Sequence, residues 1–514
     1  MPASFGIVDL FAGPGGLGEG FASFNIDNHF PFQIGISVEK EASAHRTLTL
    51  RAFLRAYRTR HGKLPEPFVN FHAGLTHEPD WEMVDAASWE DATDEARCLE
   101  LGSNRAAAAI DHTIAALRQR YDDTILIGGP PCQAYSLVGR ARSRGKADYI
   151  PEEDHRHYLF REYIRVLDQL RPAAFVMENV KGMLSSTVES RQVFEMLMED
   201  LASLGTGRSH HYELRAIRVV NGRACLQEVG KPSDFIVRAE DFGVPQRRHR
   251  VIIIGIRSDL SRGAAAASII IPGNRRTVEE TIGMLPALRS GLSRGADDNV
   301  SWRNEVLYAA ELLADIYEDR NQKVRKAGFL AVAKSLKDGA PAQRASTSLP
   351  SNYGTSDDEL MHWLERPELR ALAQHETRSH MASDLGRYLF ASVFGATHGF
   401  SPKVIDFPLV LSPDHRNWRS GAFIDRFRVQ LGHEPSTTVT SHISKDGHYF
   451  IHPDPLQCRS LTVREAARLQ TFPDDYLFLG NRTQQYVQVG NAVPPLLAGK
   501  IAALVHAALT DKHQ

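Results

Sequence analysis

Cysteine is scarce in this sequence, and no two cysteines stand in a paired spacing. The four are scattered over 514 residues as Cys98, Cys132, Cys225 and Cys458, with no C-x-x-C pair or histidine-rich spacing beside them. Zinc sites and disulfide scaffolds place cysteines at short, regular intervals, so the pattern predicts neither a metal site nor a disulfide framework. We therefore expect a soluble protein of a reducing compartment, located in the cytoplasm.

Long apolar runs and an excess of one charge are also missing. No apolar run is long enough to span a bilayer, and the N-terminus opens on a strand-like run instead of a secretion signal, so we expect no membrane association. The formal net charge is −2, so any charge that binds nucleic acid must be gathered locally. With 42% hydrophobic residues, a chain of this length can bury a large core in two or more domains.

The N-terminal segment has the pattern of a nucleotide-binding half-site. Residues 5–9 predict a strand, and the glycine-rich turn over residues 9–21 predicts the start of a helix with free amides. Residues 33–39 predict a second strand, and the carboxylate at its end can accept both ribose hydroxyls. Such a turn suits a dinucleotide as readily as S-adenosylmethionine.

The most distinctive stretch is Gly128-Gly-Pro-Pro-Cys132-Gln-Ala-Tyr-Ser136. It follows the apolar run 124–127, which predicts a buried strand, and ligands bind at the strand ends of open α/β sheets. Two prolines stiffen the turn, so the thiol of Cys132 is placed as a nucleophile would be. A cysteine taken alone is more often a small buried apolar residue, and the neighbouring motifs decide between these interpretations.

Two charged motifs follow at predicted strands. Residues 172–177 predict a buried strand ending in Glu178-Asn-Val180, which places an acid on the same rim as Cys132 if the strands are parallel. The segment Gln246-Arg-Arg-His-Arg250 leads into an apolar strand. Alternate residues of a strand point the same way, so Arg248 and Arg250 can share one face. Nonspecific phosphate binding is the simpler interpretation of these arginines.

The C-terminal part carries two further signals. Thr462 and Glu465 have the spacing of a capping box and predict the start of a helix. The segment Gln488-Val-Gly-Asn-Ala-Val-Pro-Pro495 precedes an apolar helix that we expect to end near Leu509.

Taken together, these stretches resemble the motifs of the DNA cytosine-5 methyltransferase family, in the family's order. The resemblance covers pieces from Val8 to about Ala267 and again residues 436–509. It implies an α/β fold with a Rossmann-like S-adenosylmethionine-dependent methyltransferase core and an inserted target-recognition domain. It also implies that a cysteine thiolate adds to C6 of a cytosine flipped out of double-stranded DNA, so that C5 takes the methyl group.

The resemblance gives each matching residue a role. Cys132 would be the nucleophile, Glu178 the acid that steadies the ring, and Arg248 and Arg250 the donors lining the pocket. The residues implied around the cofactor are Phe11, Gly13, Gly15, Glu39 and Asn491. The residues implied at the DNA are Gln133, Ser136, Arg140, Arg142, Arg144 and Gln246. The basic run from Arg140 is in general just a solvated loop, but beside a catalytic cysteine it predicts a loop that closes on phosphates.

The resemblance also divides the chain into segments. Residues 1–267 would be the catalytic core, residues 268–457 the target-recognition domain, and residues 458–514 a segment returning to the core. No residue is assigned to removal of the C5 proton. Many relatives belong to restriction-modification or other host-defence systems, which would supply the protein partners.

Five stretches are less distinctive. Residues 68–72 predict the third strand of the core, and the acidic stretch 78–100 predicts a surface insertion. The family's aspartate beyond that third strand has no match here, so the adenine contact is unassigned. Residues 302–337 and 359–374 predict helices, and residues 435–452 predict a hairpin around an Asp-Gly turn.

Three other functions remain open from the sequence. Methylation of cytosine in transfer RNA is the nearest, because one lineage of the same family modifies RNA. An NAD-dependent oxidoreductase explains the glycine turn and Glu39, but gives no common role to Cys132, Glu178 and Arg250. A noncatalytic DNA-binding protein that keeps the fold is the third.

Overall fold

The structure is a computed structural model that describes most of the chain. The described residues are 3–130, 159–185, 187–188, 191–192, 194–195, 197–198, 201, 211–263, 267–271, 273–319, 322–413 and 426–510.

Strands and helices alternate in the first half of the described chain, and helices dominate the second half. The strands are β1 Phe5–Leu10, β2 Phe32–Glu39, β3 Ala96–Cys98, β4 Asp123–Gly128, β5 Ala174–Val180, β6 Thr187–Val188, β7 Arg191–Gln192, β8 Tyr212–Val220, β9 Arg223–Glu228, β10 Ile236–Arg238, β11 Gln246–Arg247, β12 His249–Arg257, β13 Ser268–Ile270, β14 Gly291–Leu292, β15 Ser379–His380 and β16 Ser436–Thr437. The α-helices are α1 Gly16–Ser23, α2 Ala42–His61, α3 Glu66–His72, α4 Trp81–Val84, α5 Ala86–Glu95, α6 Asn104–Arg120, α7 Leu159–Leu170, α8 Val278–Ile282, α9 Asn299–Asp319, α10 Lys323–Asp338, α11 Glu359–Leu364, α12 Ala382–His398, α13 Val463–Leu469, α14 Arg482–Asn491 and α15 Pro495–Thr510.

The chain divides into two compact units, and each is built from separate stretches. The first unit comprises Met1–Pro65, Asp80–Asn274 and Ala492–Gln514, and the second comprises Glu66–Pro79 and Arg275–Asn491. Residues 458–491 therefore lie with the second unit.

The first unit is organised around a ten-stranded mixed sheet. Along its main path the order is β13-β9-β8-β12-β5-β4-β1-β2-β3, and β10 pairs with β12. The strands from β3 to β5 pair in parallel, whereas β12 lies antiparallel to β5. The parallel strands β1, β2, β4 and β5 are mostly apolar because helices cover both faces of the sheet. The predicted α/β fold with a Rossmann-like core is confirmed.

The C-terminal helix α15 belongs to the core of this first unit. Its residues Leu497, Ile501 and Val505 are buried in the cluster that also holds β1, β4 and β12 side chains. A Cβ built on Gly20 of α1 would lie 2.3 Å from the Ala498 Cβ, so the two helices meet backbone to backbone. The predicted end near Leu509 agrees with the helix end at Thr510.

Residues 482–510, which include this helix, are long and apolar enough to cross a membrane by composition alone. In this stretch 56% of the most apolar window is buried inside the protein. Core helices of soluble proteins pass the same test, and the packing of α15 on the sheet accounts for its apolar character.

The prediction of a third strand at residues 68–72 is wrong. These residues form helix α3, in which Phe68, Val69 and His72 are buried at the spacing of one helix face. The strand that pairs with β2 is β3, within the acidic stretch 78–100. That stretch is therefore no mere surface insertion, because it supplies a strand and the buried ring of Trp81.

Two predictions in the second unit need correction. Helix α11 ends at Leu364 instead of reaching residue 374, because Pro367 follows two residues after its cap. The hairpin over residues 435–452 does not form. The segment after the turn at Gly447 pairs with residues 428–430, where Arg428 N–H donates to the His448 carbonyl and Ile451 N–H donates to the Arg428 carbonyl.

Other predictions in this unit are confirmed. Helices α9 and α10 cover nearly all of the stretch 302–337, and the rings of Tyr317 and Phe329 stack between them at 5.7 Å. The Thr462 side chain caps α13, and Glu465 returns the bond to the Thr462 N–H at 2.7 Å.

Candidate active site

The glycine turn between β1 and α1 requires left-handed backbone at three positions. Gly13 has φ 59° and Gly15 has φ 101°, which glycine adopts without steric cost. Phe11 also has φ 59°, and a bulky residue pays strain for that conformation. Nothing lies within 4 Å of the position that a Cβ on Gly13 would take. The turn thus holds an aromatic side chain beside open space.

Glu39, at the end of β2, is the acceptor that organises this turn. Its Oε2 accepts the Gly13 N–H at 2.9 Å, and its Oε1 accepts the N–H groups of Lys40 and Glu41 at 2.9 and 2.7 Å. Three backbone donors fix the carboxylate in one orientation. Each carboxylate oxygen has two lone pairs, so Oε2 keeps the capacity to accept one hydroxyl of a ribose.

An open depression lies next to Glu39, where β2 and β3 end side by side. It measures about 510 Å³ and is lined by Lys40, Glu41, Ala42, Cys98, Leu99 and Glu100. The Lys40 Nζ lies 3.3 Å from the Glu100 Oε1 at its edge, and both side chains are exposed. Leu99 and Glu100, an apolar residue and an acid, directly follow β3 and line this depression. Neither residue was singled out from the sequence, because the third strand was predicted at residues 68–72.

A second pair of charges lies where β5 and β12 run side by side. The Arg250 Nε is 2.9 Å from the Glu178 Oε1, and each side chain is only 13% exposed. A Cβ on Gly129 would lie 3.0 Å from the Glu178 Oε2. The glycine three residues before Cys132 therefore adjoins this carboxylate, as the sequence predicts for the rim of the sheet.

Arg248 is buried close to the same pair. It does not share a strand with Arg250, because β11 ends at Arg247 and β12 begins at His249, so the argument from strand alternation was wrong for Arg248. Burial first, and then repulsion by Arg250, lowers the pKa of Arg248 well below its usual range, against the opposing effect of Glu178. The three charged groups are thus coupled electrostatically.

Asn179 is a residue of the site that the sequence did not single out. Its Nδ2 donates to the Pro130 carbonyl at 3.1 Å, and its Oδ1 accepts the Val180 N–H at 2.8 Å. The amide is 5% exposed. It therefore ties β5 to the proline turn that leads towards Cys132.

The structure does not test the roles predicted for several site residues. Cys132, Gln133, Ser136, Arg140, Arg142 and Arg144 lie outside the described residues. Gln246 is buried, and its backbone N–H donates to the Val244 carbonyl at 2.7 Å. Asn491 is exposed at the end of α14 in the second unit. Their roles stay predictions.

The sequence predicts no metal site. Within the described ranges no three histidine, cysteine, aspartate or glutamate side chains cluster as metal ligands would.

The sequence of this chain is similar to the sequences of known proteins over most of its length. The model of the family "C-5 cytosine-specific DNA methylase" matches residues 89–506. The type II methyltransferase M.Bpa9945I of Bacillus paralicheniformis is 32% identical over 99% of this chain and 100% of its own. The DNA (cytosine-5-)-methyltransferase M.ApeKI of Aeropyrum pernix is 29% identical over 74% of this chain and 80% of its own.

Solved structures align as well. A DNA modification methyltransferase encoded within an Escherichia coli prophage covers 99% of this chain and 100% of its own, with 18% identity and a TM-score of 0.48.

Proposed function

This chain belongs to the C-5 cytosine-specific DNA methylase family and is a DNA (cytosine-5-)-methyltransferase, and from that premise we propose a covalent mechanism through Cys132. The thiolate of Cys132 adds to C6 of a cytosine that has left the stack of double-stranded DNA. C5 then takes the methyl group, and loss of the C5 proton releases the thiol. Membership of this family sets aside the NAD-dependent oxidoreductase and the noncatalytic DNA-binding protein, and methylation of transfer RNA is the alternative to methylation of DNA.

The pair of Glu178 and Arg250 carries this proposal. Addition at C6 pushes negative charge onto N3 and O2 of the ring, and a carboxylic acid and a guanidinium relieve it there. The two groups lie 2.9 Å apart and are largely withdrawn from water, so their charges act at low dielectric. Arg248 adds a further buried positive charge beside them.

The glycine turn and the depression fit S-adenosylmethionine. Glu39 keeps acceptor capacity for the ribose, and Gly13 leaves open space above the turn next to Phe11. Leu99 and Glu100 would contact the adenine, with the carboxylate accepting from its amino group. The bound cofactor supplies an electrophilic methyl group, while these residues bind and orient it. Gly15 and Asn491 complete the proposed set.

Residues 1–267 are the proposed catalytic core, residues 268–457 the proposed target-recognition domain, and residues 458–514 the segment proposed to return to the core. In this proposal Arg140, Arg142 and Arg144 contact DNA phosphates. Gln133, Ser136 and Gln246 contact the DNA nearer the target base. M.Bpa9945I and M.DdeI are named type II methyltransferases, which supports a restriction-modification context for this chain, with a restriction or defence protein as partner. A cytoplasmic location follows from that context.

Trapping with 5-fluorocytosine tests the mechanism. Fluorine at C5 blocks loss of the C5 substituent, so duplex DNA carrying it should bind wild-type protein covalently and Cys132→Ala not at all. A matched Cys225→Ala variant should still be trapped. Normal methyl transfer by Cys132→Ala would overturn the covalent step. Competition between duplex DNA and transfer RNA for tritium transfer from labelled S-adenosylmethionine distinguishes the two substrates.

A further inference from the structure

Five charged residues lie together in the interior of the first unit, next to the glycine turn. They are Asp9 of β1, Glu19 of α1, Arg51 and Arg55 of α2, and Glu95 of α5, and we call them the acid-arginine cluster. Arg51 Nε and Nη2 donate to the two Glu19 oxygens at 2.9 and 2.6 Å. Arg55 Nη2 donates to the Glu95 Oε1 at 2.5 Å and Nη1 to the Glu19 Oε2 at 3.5 Å. Two cations are therefore matched by two carboxylates.

Asp9 is the fifth member, and it has no cation of its own. It is 1% exposed, and within the described residues neither carboxyl oxygen accepts a hydrogen bond of ordinary geometry, although the Ser37 hydroxyl of β2 interacts with the carboxyl group. The backbone of α1 lies against it, because a Cβ on Gly18 would come within 2.9 Å of the Asp9 Oδ2. An unpaired buried carboxylate costs several kcal/mol or more, so a bound proton is the stable alternative.

Glu39 has the opposite surroundings on the neighbouring strand. It is half-buried, and its carboxylate accepts the three backbone N–H groups that shape the turn. The two carboxyl groups thus differ in their partners, since Glu39 has three backbone donors and Asp9 has none in the described part of the chain.

We propose that Asp9 carries a proton in the folded protein, so that no second negative charge lies beside Glu39, the residue that holds the glycine turn and, in the proposed function, the cofactor ribose. Asp9 is a positioning residue in this proposal, because its proposed action is on Glu39. The inference rests on the proposed function only for the identity of that ligand.

The charged residues around Asp9 support the proposal that Asp9 is protonated. Burial first, then the carboxylates of Glu95 and Glu39, raises the pKa of Asp9 well above its usual value, against the smaller opposing effects of Arg55 and Ser37. With Asp9 neutral, the cluster holds two positive and two negative charges. An ionised Asp9 would leave one negative charge unbalanced beside Glu39, and like charges would repel across the turn.

The pH dependence of unfolding tests the proton on Asp9. A buried acid with a raised pKa takes up a proton on folding at every pH between its unfolded and folded pKa values, so wild type loses stability as pH rises through that window. Asp9→Asn needs no proton. The unfolding equilibrium constant of wild type should therefore rise about tenfold per pH unit relative to Asp9→Asn, from about pH 5 upward. The matched surface variant Asp27→Asn should show a constant ratio to wild type.

A ratio between wild type and Asp9→Asn that is constant or falls with pH would overturn the proposal, because an anionic Asp9 binds no proton on folding. Asp9→Leu is the second variant, and it should also fold, since a neutral group of similar size replaces a neutral acid. Failure of both variants to fold would contradict the inference.

Calorimetric binding of S-adenosylhomocysteine tests whether Glu39 contacts the ligand while Asp9 does not. Asp9→Asn should bind it within about threefold of wild type near pH 7, whereas Glu39→Gln should lose tenfold or more, the worth of a charge-assisted hydrogen bond. Equal losses in both variants would overturn the proposal. If wild type binds no S-adenosylhomocysteine at any pH, the proposed function fails, and the unfolding ratio still decides the proton on Asp9.

Discussion

The side-chain amide of Asn179 donates a hydrogen bond to the carbonyl oxygen of Pro130 at 3.1 Å. This bond joins the end of β5, which carries Glu178, to the turn that leads to Cys132. The proposed acid and the approach to the nucleophile are thereby held by one buried amide. Its removal should affect chemistry more than folding.

We expect Asn179→Ala to lower kcat by about one to two powers of ten, since small misplacement of reacting groups is costly in rate. Loss of one buried hydrogen bond should destabilise the protein by only about 1 kcal/mol. Single-turnover methylation and urea unfolding measure the two effects. Asn104→Ala, at an exposed helix position, is the control. A wild-type rate in Asn179→Ala would remove Asn179 from the site.

Replacing Glu178 by Gln should abolish turnover while leaving S-adenosylhomocysteine affinity within about twofold. Glutamine keeps the size of the side chain but cannot supply the proton or charge that the ring requires. Arg250→Lys should lower kcat strongly as well, because the planar guanidinium is lost. Methyl-transfer kinetics and calorimetry separate the two properties. The expectation fails if Glu178→Gln loses cofactor binding in proportion to turnover.

Gly20→Ala should destabilise the first unit by about 1 to 3 kcal/mol, the usual cost of overpacking. The added methyl would lie 2.3 Å from the Ala498 Cβ and 2.5 Å from the Gly499 nitrogen, so α1 and α15 must separate. Thermal unfolding measures the loss. Gly273→Ala is the matched control, because its Cβ would meet nothing within 4 Å. Equal melting temperatures for both variants would contradict the packing.

Stability of the second unit should fall as pH drops from about 6.5 towards 4. Burial, and then Arg464, lowers the pKa of His72 to about 4, and burial, and then Arg459, lowers the pKa of His452 to about 4. Each histidine has a pKa of about 6.5 in the unfolded chain and a lower pKa in the folded protein. Below about pH 6.5 the unfolded chain therefore binds more protons than the folded protein, and the free energy of unfolding falls as the pH drops.

The test compares His72→Gln with His362→Gln, which changes an exposed histidine of the same unit. Urea unfolding between pH 7.5 and pH 4.5 should show a shallower loss for His72→Gln than for wild type, by on the order of 2 kcal/mol across the window. His362→Gln should follow the wild-type curve. Parallel curves for all three proteins would show that His72 is not buried as a neutral base.

Much of the first unit could be predicted from sequence because its parallel strands are buried on both faces. β1, β2, β4 and β5 read as apolar runs followed by glycine or acidic residues, and the same strand ends carry Glu39 and Glu178. Glu39 and Glu178 could be chosen as candidate site residues because ligands bind at the carboxyl ends of the strands in open α/β sheets.

The edge strand β3 could not be predicted because it is short and not apolar. Ala96 is its one buried residue, and the pairing with β2 defines the strand. The depression beside it was missed for that reason. The hydrogen bond from Asn179 to the Pro130 carbonyl joins residues that are 49 positions apart, and no local sequence pattern predicts such a bond.

The first unit is discontinuous in sequence, and its last piece is helix α15. Until that helix leaves the ribosome, the sheet face that buries Ile501 and Val505 is only partly covered, by α1 among others, although β1 was made almost 500 residues earlier. Synthesis at a rate of about 5 to 20 residues per second leaves this apolar surface partly open for tens of seconds. Nascent chains of this enzyme should therefore be clients of chaperones that shield exposed apolar strands.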